Sequence, residues 1–164
     1  MPKDSTPTRR AILDGALDVL RRDGLTRFSV EAVARRADVA KGLVIYHFGS
    51  RGALLAECAR LIAVARADGI SAALASARGV GSVDACWDEL VRQQADGTAR
   101  AWLGLVAAGL APPGPPEEFE ARARAALLDG CSAALAAGAS PETLRTAHDA
   151  LWLALVSALE DETA

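Results

Sequence analysis

The feature that most constrains the fold is the run of residues 37–51, which reads ADVAKGLVIYHFGSR. Just before this run, Ser29 is a favourable helix N-cap and Glu31 places an acid in the first turn of a short amphipathic helix. The run itself predicts a tight turn, a second short helix and then the Ser-capped start of a long helix. Two short helices joined by about four residues have the geometry of a helix-turn-helix that reads DNA.

This segment resembles the N-terminal helix-turn-helix of the TetR family of transcriptional regulators. The residues that carry the resemblance are Ser29, Val33, Ala34, Ala37, Asp38, Val39, Ala40, Val44, Ile45, His47, Phe48, Ser50 and Arg51. The resemblance is close over residues 8–57. Beyond them the chain shares with the family only helices that are rich in Ala and Leu. The resemblance implies a ligand-responsive repressor that binds a palindromic operator as a homodimer.

Three positions depart from the family pattern. Asp38 stands where the turn usually has a glycine, and aspartate adopts the left-handed conformation at some energetic cost. Ala40 replaces a capping serine, which costs the second helix about 0.5 to 2 kcal/mol. Ile45 replaces a tyrosine and leaves Tyr46 and His47 as the polar aromatic pair. An alternative function therefore stays open, in which the chain keeps the fold as an interaction protein but has lost operator binding.

The second helix is expected to contact DNA with two sets of residues. Those placed to read base edges are Lys41, Gly42, Leu43 and Ile45. Those placed to fix the docking through phosphates are Tyr46, His47 and Arg51. Bidentate reading of adenine needs Asn or Gln, and residues 1–51 contain neither. We therefore expect a lysine contact to guanine and apolar contacts to thymine methyl groups.

The net charge of −3 hides a strong asymmetry along the chain. Residues 1–51 hold ten Lys and Arg against six acids, a net +4, whereas residues 52–164 hold eight against fifteen, a net −7. A basic module on an acidic body is typical of DNA-binding regulators, and solvated helix faces of uneven sign are the alternative interpretation. Double-stranded DNA is accordingly the expected partner.

Hydrophobic periodicity predicts an all-α fold of about eight helices without a convincing strand. We expect a helix-turn-helix DNA-binding domain over residues 1–50 and a helical regulatory and dimerisation domain over residues 51–164. The long helix that Ser50 caps contains Gly69, a candidate bend. The helix of residues 98–111 is apolar on every side, which predicts that it is the central buried helix of the C-terminal body.

Two further sets of residues are assigned to the C-terminal body. By resemblance to the family, an unknown small-molecule effector is expected against apolar walls supplied by Trp87, Leu90, Trp102 and Val106. Ordinary core packing of these four residues is the alternative. The apolar stripes of the last two helices predict the homodimer interface, through Leu127, Ala134, Leu144, Leu151 and Leu155.

Catalysis and cofactor binding are not predicted. The chain has two histidines, His47 and His148, and no phosphate-binding loop, nucleophile elbow or His-Glu-x-x-His pattern. His148 is interpreted as a polar position of the last helix, with a place in a ligand site or in the dimer seam as the alternatives, and it is expected to point away from the adjacent Asp149 rather than to form a dyad.

Cysteine usage and hydropathy indicate a soluble cytoplasmic protein. Cys58, Cys86 and Cys131 are odd in number and widely spaced, so neither a disulfide framework nor a metal site fits, and buried apolar roles are expected. No apolar run reaches the roughly 18 residues that a membrane span needs, and the N-terminus lacks the apolar segment of a signal peptide.

Overall fold

A computed structural model of the chain describes residues 6–76, 80–110 and 119–162. All of the regular structure in these ranges is helical, which confirms the all-α prediction. Eight α-helices follow one another: α1 (Thr6–Asp23), α2 (Val30–Arg36), α3 (Lys41–Phe48), α4 (Arg51–Ser76), α5 (Val80–Ala95), α6 (Thr98–Ala107), α7 (Phe119–Ala136) and α8 (Pro141–Glu162). A single 3₁₀ turn, Leu25–Arg27, lies between α1 and α2. None of the described helices is long and apolar enough to cross a membrane.

The chain packs as two compact units. The first consists of Met1–Ala65 and Asp96–Pro113, and the second of Arg66–Ala95 and Gly114–Ala164. Helix α4 is therefore divided between the units at Ala65 and Arg66. These units are defined by packing alone, and the functional division at residue 50 stays a prediction.

One hydrophobic cluster holds the first unit together. Helix α1 buries an apolar stripe because its large side chains recur at helical spacing. The stripe meets buried side chains from α2, α3, α4 and α6. The fully covered members of this core are Ile12, Ala16, Leu20, Val33, Leu54, Cys58, Ile62 and Leu105.

Helix α6 packs in the first unit, so the prediction that it is the central helix of the C-terminal body was wrong. Ala101 and Leu105 join the core that α1 builds, and Arg100 donates a hydrogen bond to the Arg22 carbonyl at 3.1 Å. Apolar residues on every side predicted burial correctly for part of the helix, but they did not identify the packing partner.

The second unit has its own core, formed by α5, α7, α8 and the C-terminal part of α4. Its buried cluster consists of Cys86, Trp87, Leu90, Leu128, Cys131 and Leu135. Helix α4 continues through Gly69, where an added Cβ would lie 3.0 Å from Glu89 Cδ. The glycine thus allows the Glu89 side chain to approach the helix backbone closely.

The three cysteines are buried free thiols, as expected. Burial raises the pKa of Cys58 to about 12 and, with a smaller contribution from the neighbouring Cys131, the pKa of Cys86 to about 11. Burial also raises the pKa of Cys131. The thiols therefore stay protonated at neutral pH and act as small apolar side chains.

The two short helices of the helix-turn-helix differ in their N-caps. Ser29 Oγ accepts a hydrogen bond from the Ala32 amide at 3.1 Å, whereas Ala40 supplies no side-chain cap to α3. We expect Ala40→Ser to raise the free energy of unfolding by about 1 kcal/mol, because a serine hydroxyl can accept from a first-turn amide of α3. Urea denaturation measures this change.

Ser29→Ala is the matched control for the capping prediction. It should lower the free energy of unfolding by a similar amount, since it removes a cap of the same kind from α2. A stability that falls with Ser29→Ala but does not rise with Ala40→Ser would mean that the α3 amides gain nothing from a side-chain cap.

Candidate nucleic-acid interface

Helix α3 is anchored by one side and presents the other to solvent. Val44 is buried in the core of the first unit and fixes the rotation of the helix. Leu43 and Ile45 are each 41% exposed, and Tyr46 is 78% exposed. Exposed large apolar and aromatic side chains on one short helix form a surface suited to contact a partner. Lys41 and Gly42 are also exposed, so the residues predicted to read base edges are all accessible.

The turn before α3 relies on an aspartate in a left-handed conformation. Asp38 has φ 53°, and the Val39 amide donates to the Ala34 carbonyl at 3.0 Å across the turn. Among the described residues it is the only non-glycine with positive φ. Aspartate tolerates this conformation better than most residues do. The turn is thus built without the glycine that the family pattern usually has there.

Lys41 is paired with Glu31 of α2 in the free protein. The Lys41 ammonium donates to the Glu31 carboxylate, and both side chains are 59% exposed. This hydrogen bond, with the Coulomb attraction of Lys41, holds the pKa of Glu31 below its ordinary value. Glu31 was expected only as a first-turn acid, because no sequence pattern indicates that α2 and α3 bring it to Lys41. A nucleic acid that binds Lys41 must compete with this carboxylate.

Arg51 and Arg9 each lie over an aromatic ring of the helix-turn-helix. Arg51 Nε donates to the Phe28 carbonyl at 3.1 Å, and its guanidinium lies 5.6 Å from the centroid of the Phe28 ring. The Arg9 guanidinium lies 4.8 Å from the centroid of the Phe48 ring. Arg51 therefore connects the start of α4 to the segment before α2 through a hydrogen bond and a cation–π contact. This structural role is separate from the predicted contact of Arg51 with a DNA phosphate.

Replacing Arg51 should consequently affect folding as well as DNA binding. We expect Arg51→Ala to lower the free energy of unfolding by about 1 to 2 kcal/mol, because it removes a hydrogen bond and a cation–π contact. Arg10→Ala is the control: it removes the same charge from an exposed position of α1. Thermal unfolding without DNA separates the two variants, and equal melting temperatures would contradict the structural role of Arg51.

Tyr46 and His47 form the aromatic pair that the sequence suggested. Their ring centroids are 5.2 Å apart in an edge-to-face arrangement. His47 is half-buried while Tyr46 is largely exposed, so the tyrosine hydroxyl reaches furthest into solvent. This arrangement presents a polar tip beside the exposed face of α3.

The four residues predicted to bind an effector fall into different surroundings. Trp87 and Leu90 lie in the core of the second unit. Trp102 packs against the core of the first unit, and Val106 is 42% exposed. The structure therefore places these residues in no common cluster, and effector binding by them stays a prediction. Within the described part of the chain, no group of three or more His, Cys, Asp or Glu side chains is placed to hold a metal ion.

The predicted dimer residues are described only in part. Ala134 and Leu144 are half-buried, and Leu144 packs against the core of its own unit. The side chains of Leu127, Leu151 and Leu155 lie outside the described residues. The interface therefore stays a prediction too.

His148 differs from its prediction in its contact with Asp149. It is 0% exposed, and its Nδ1 lies 3.0 Å from Asp149 Oδ1. The expectation that these neighbours point apart was wrong, because the short Asp149 side chain reaches back to the ring. A histidine in an amphipathic helix gave no sequence signal that distinguished a buried from an exposed position.

Comparison with known proteins places the helix-turn-helix in a family. Residues 12–58 match the model of the N-terminal domain of bacterial regulatory proteins of the tetR family. The match spans α1 from Ile12, the whole helix-turn-helix and the first turns of α4. No curated protein matches the chain in sequence.

Solved structures share the fold of nearly the whole chain. The multidrug binding protein EbrR, solved in complex with imidazole, is 22% identical with a TM-score of 0.58, over 88% of this chain and 89% of that one. A TetR-family regulator from Streptomyces coelicolor A3 is 20% identical with a TM-score of 0.54, over 96% and 99%. A proposed tetR-family transcription regulator from Shewanella sp. PV-4 is 22% identical with a TM-score of 0.59, over 92% and 97%. At these identities the likeness shows a common fold.

Proposed function

We propose that this chain, whose residues 12–58 carry the N-terminal helix-turn-helix of the bacterial tetR family, is a cytoplasmic ligand-responsive repressor that binds a palindromic operator as a homodimer. The observation that carries the proposal is the exposed face of α3. Lys41, Leu43 and Tyr46 project from a helix that Val44 anchors in the core. The face belongs to a segment with a net charge of +4, which favours a polyanionic partner.

Helix α3 would lie in the major groove and divide its contacts by side-chain chemistry. Lys41 donates to guanine, while Leu43 and Ile45 pack on thymine methyl groups. Tyr46, His47 and Arg51 fix the register through phosphates, as does the N-terminus of α4, where Ser50 caps the helix. A homodimer would read two half-sites separated by about one helical turn or a multiple of it.

DNA from the region upstream of the protein's own gene provides the direct test. The purified protein is titrated into a labelled upstream duplex and into a scrambled duplex of equal length and composition, at several salt concentrations. Preferential binding to the upstream duplex supports a regulator. Equal, weak binding to both duplexes at every salt concentration would refute operator recognition and favour the alternative, a protein that keeps the fold for interaction with other proteins.

The dimer would be built on α7 and α8, through the five predicted residues Leu127, Ala134, Leu144, Leu151 and Leu155. The described part of α8 adds one observation in support: Leu153 is a large apolar side chain that is 55% exposed. A partner that covers this side chain would remove its apolar surface from water. Closed two-fold symmetry is the commonest arrangement for such assemblies.

Sedimentation tests the dimer with a matched pair of variants. Leu153→Glu should shift wild-type dimers towards monomers at micromolar concentration, because it places a charge in the proposed interface. Val64→Glu makes the same change at an exposed apolar residue of α4 and should leave the dimer intact. A wild type that sediments only as a monomer would refute the dimer.

The effector would be a small molecule bound in the helical body, where Trp87 and Leu90 supply apolar surface. Trp102 and Val106, which were predicted for the same role, belong to the first unit. The multidrug binding protein EbrR shares this fold, which supports the proposal that the helical body accommodates a small molecule. Binding would stabilise a conformation with altered spacing of the two α3 helices and so release the operator.

A further inference from the structure

The interior of the second unit contains a histidine whose ring lies close to two tryptophans. The centroid of the His148 ring lies 5.2 Å from that of Trp87 on α5, with the planes tilted by 57°. The same centroid lies 6.4 Å from that of Trp152, with the planes nearly parallel at 9°. His148 is completely buried, and both tryptophans are buried as well. The imidazole is thus enclosed by aromatic surface.

Charged residues at the edge of this aromatic group are already paired. Arg145 contacts both Asp149 of its own helix and Asp84 of α5, and its guanidinium lies 5.8 Å from the centroid of the Trp87 ring. Burial acts to raise the pKa of Asp149, but hydrogen bonds from His148 and Arg145 outweigh it and leave that pKa below its ordinary value. Asp149 is therefore a carboxylate at neutral pH, and it shares the Arg145 guanidinium with Asp84.

The hydrogen bond to Asp149 determines what the other imidazole nitrogen can do. A carboxylate only accepts hydrogen bonds, so His148 Nδ1 carries the hydrogen. In a neutral imidazole, Nε2 is then an acceptor. This atom is buried and has no hydrogen-bond partner in the protein. A buried acceptor without a partner costs about 1 to 3 kcal/mol, so its retention calls for an explanation.

Other buried acceptor atoms in the same unit also have no hydrogen-bond partner in the protein. They are Gln93 Oε1 and Gln94 Oε1 on α5 and Ser132 Oγ on α7, and Gln93 and Ser132 are each 1% exposed. Three helices of one unit thus each contribute a buried group that can accept a hydrogen bond. Bound water could satisfy them, and so could the donor groups of a ligand.

We propose that the second unit binds a planar aromatic molecule without negative charge that carries an O–H or N–H donor, with His148 Nε2 as the acceptor and Trp87 and Trp152 as aromatic walls. Planarity follows from the indole rings, which favour stacked and edge-to-face contacts. A negative charge is excluded because Arg145 is already shared by Asp84 and Asp149, so these three side chains carry a net charge of −1. The proposal rests on the proposed function, since it specifies the chemistry of the effector.

Phenol and toluene form a matched pair of probes for this site, because they differ by a hydroxyl in place of a methyl group. The protein is labelled with ¹⁵N-histidine, and each probe is titrated while the imidazole resonances are followed. Phenol should shift the Nε2 resonance of His148 saturably and raise the melting temperature. Toluene should bind about tenfold more weakly, because it leaves the acceptor unsatisfied.

Two substitutions test the atom itself. In His148→Asn the amide can replace Nδ1 towards Asp149 but supplies nothing at the position of Nε2, so the preference for phenol over toluene should disappear. In His148→Gln the longer amide reaches towards the Nε2 position and should retain part of the preference. If both variants fail to fold, the proposal is tested by the shift of the His148 Nε2 resonance when the wild-type protein is titrated with phenol and with toluene.

Several outcomes would overturn the proposal. These are the absence of saturable binding, equal affinity for both probes, and a phenol preference that survives His148→Asn unchanged. Because the titrations contain no DNA, they are independent of the operator assay. A protein that binds phenol but no operator would refute the proposed function alone, and one that binds its operator but not phenol would refute this site alone.

Discussion

Gly97→Ala is expected to lower the free energy of unfolding by about 2 to 4 kcal/mol. Gly97 precedes α6 with φ 81°, a conformation that alanine rarely adopts. A Cβ at this position would also lie 2.9 Å from the Arg21 carbonyl carbon and closer still to its oxygen. Both groups are backbone atoms of the first unit, so neither can move aside as a flexible side chain would.

Gly109→Ala is the control that separates the two causes. Gly109 follows α6 with φ 68°, and an added Cβ there meets nothing within 4 Å. It should cost only the strain of the left-handed conformation, about 1 to 2 kcal/mol. Urea denaturation of both variants gives the contribution of the clash as their difference. Equal destabilisation would show that α6 can move away from α1 at little cost.

The close approach at Gly97 also explains why α6 was assigned to the wrong body of the protein. Periodicity reports which residues of a helix are buried, and Ala101 and Leu105 are buried as it predicts. It carries no information on the helix that covers them. The decisive contact is between backbone atoms of residues far apart in sequence, Gly97 and Arg21, and one sequence offers no pattern for such a contact.

The helix-turn-helix could be predicted far better, because its determinants are local. Ser29 caps α2 through an amide three residues away, and the turn at Asp38 closes within a few residues. Val44 anchors α3, and Phe48, four residues later and therefore on the same side of the helix, also packs against the core. These features depend on residues that are close in sequence. The fold of the helix-turn-helix and the exposed face of α3 could therefore both be predicted from this segment.

Pairing between particular side chains was not predictable in the same way. The bond between His148 and Asp149 depends on rotamers, and the pair of Glu31 and Lys41 depends on the packing of α2 against α3. Both pairs change the expected chemistry. The first fixes which imidazole nitrogen is free to accept, and the second gives the predicted base-reading lysine an intramolecular competitor.

Lys41→Ala is expected to lower the affinity for the operator by about 1 to 3 kcal/mol and to relax the preference at one G·C pair in each half-site. Residues 1–51 contain no Asn or Gln, so Lys41 at the start of α3 is the side chain best placed to donate to a base edge. Selection from random duplexes with wild type and variant measures the preference position by position. If Lys41→Ala binds every sequence proportionally more weakly with unchanged preferences, Lys41 contacts phosphate instead, and the salt dependence should then fall by about one unit.

Glu31→Gln provides the matched test, because it releases Lys41 without altering it. In the free protein the Glu31 carboxylate accepts a hydrogen bond from the Lys41 ammonium, and its negative charge repels phosphate. Removing that charge should therefore strengthen DNA binding severalfold and leave the base preferences unchanged. In the Lys41→Ala background the same substitution should have a clearly smaller effect, since only the general repulsion remains to be removed. The double-mutant cycle thus isolates the competition for Lys41. Strictly additive effects would show that Glu31 acts on DNA through its charge alone and does not compete for this lysine.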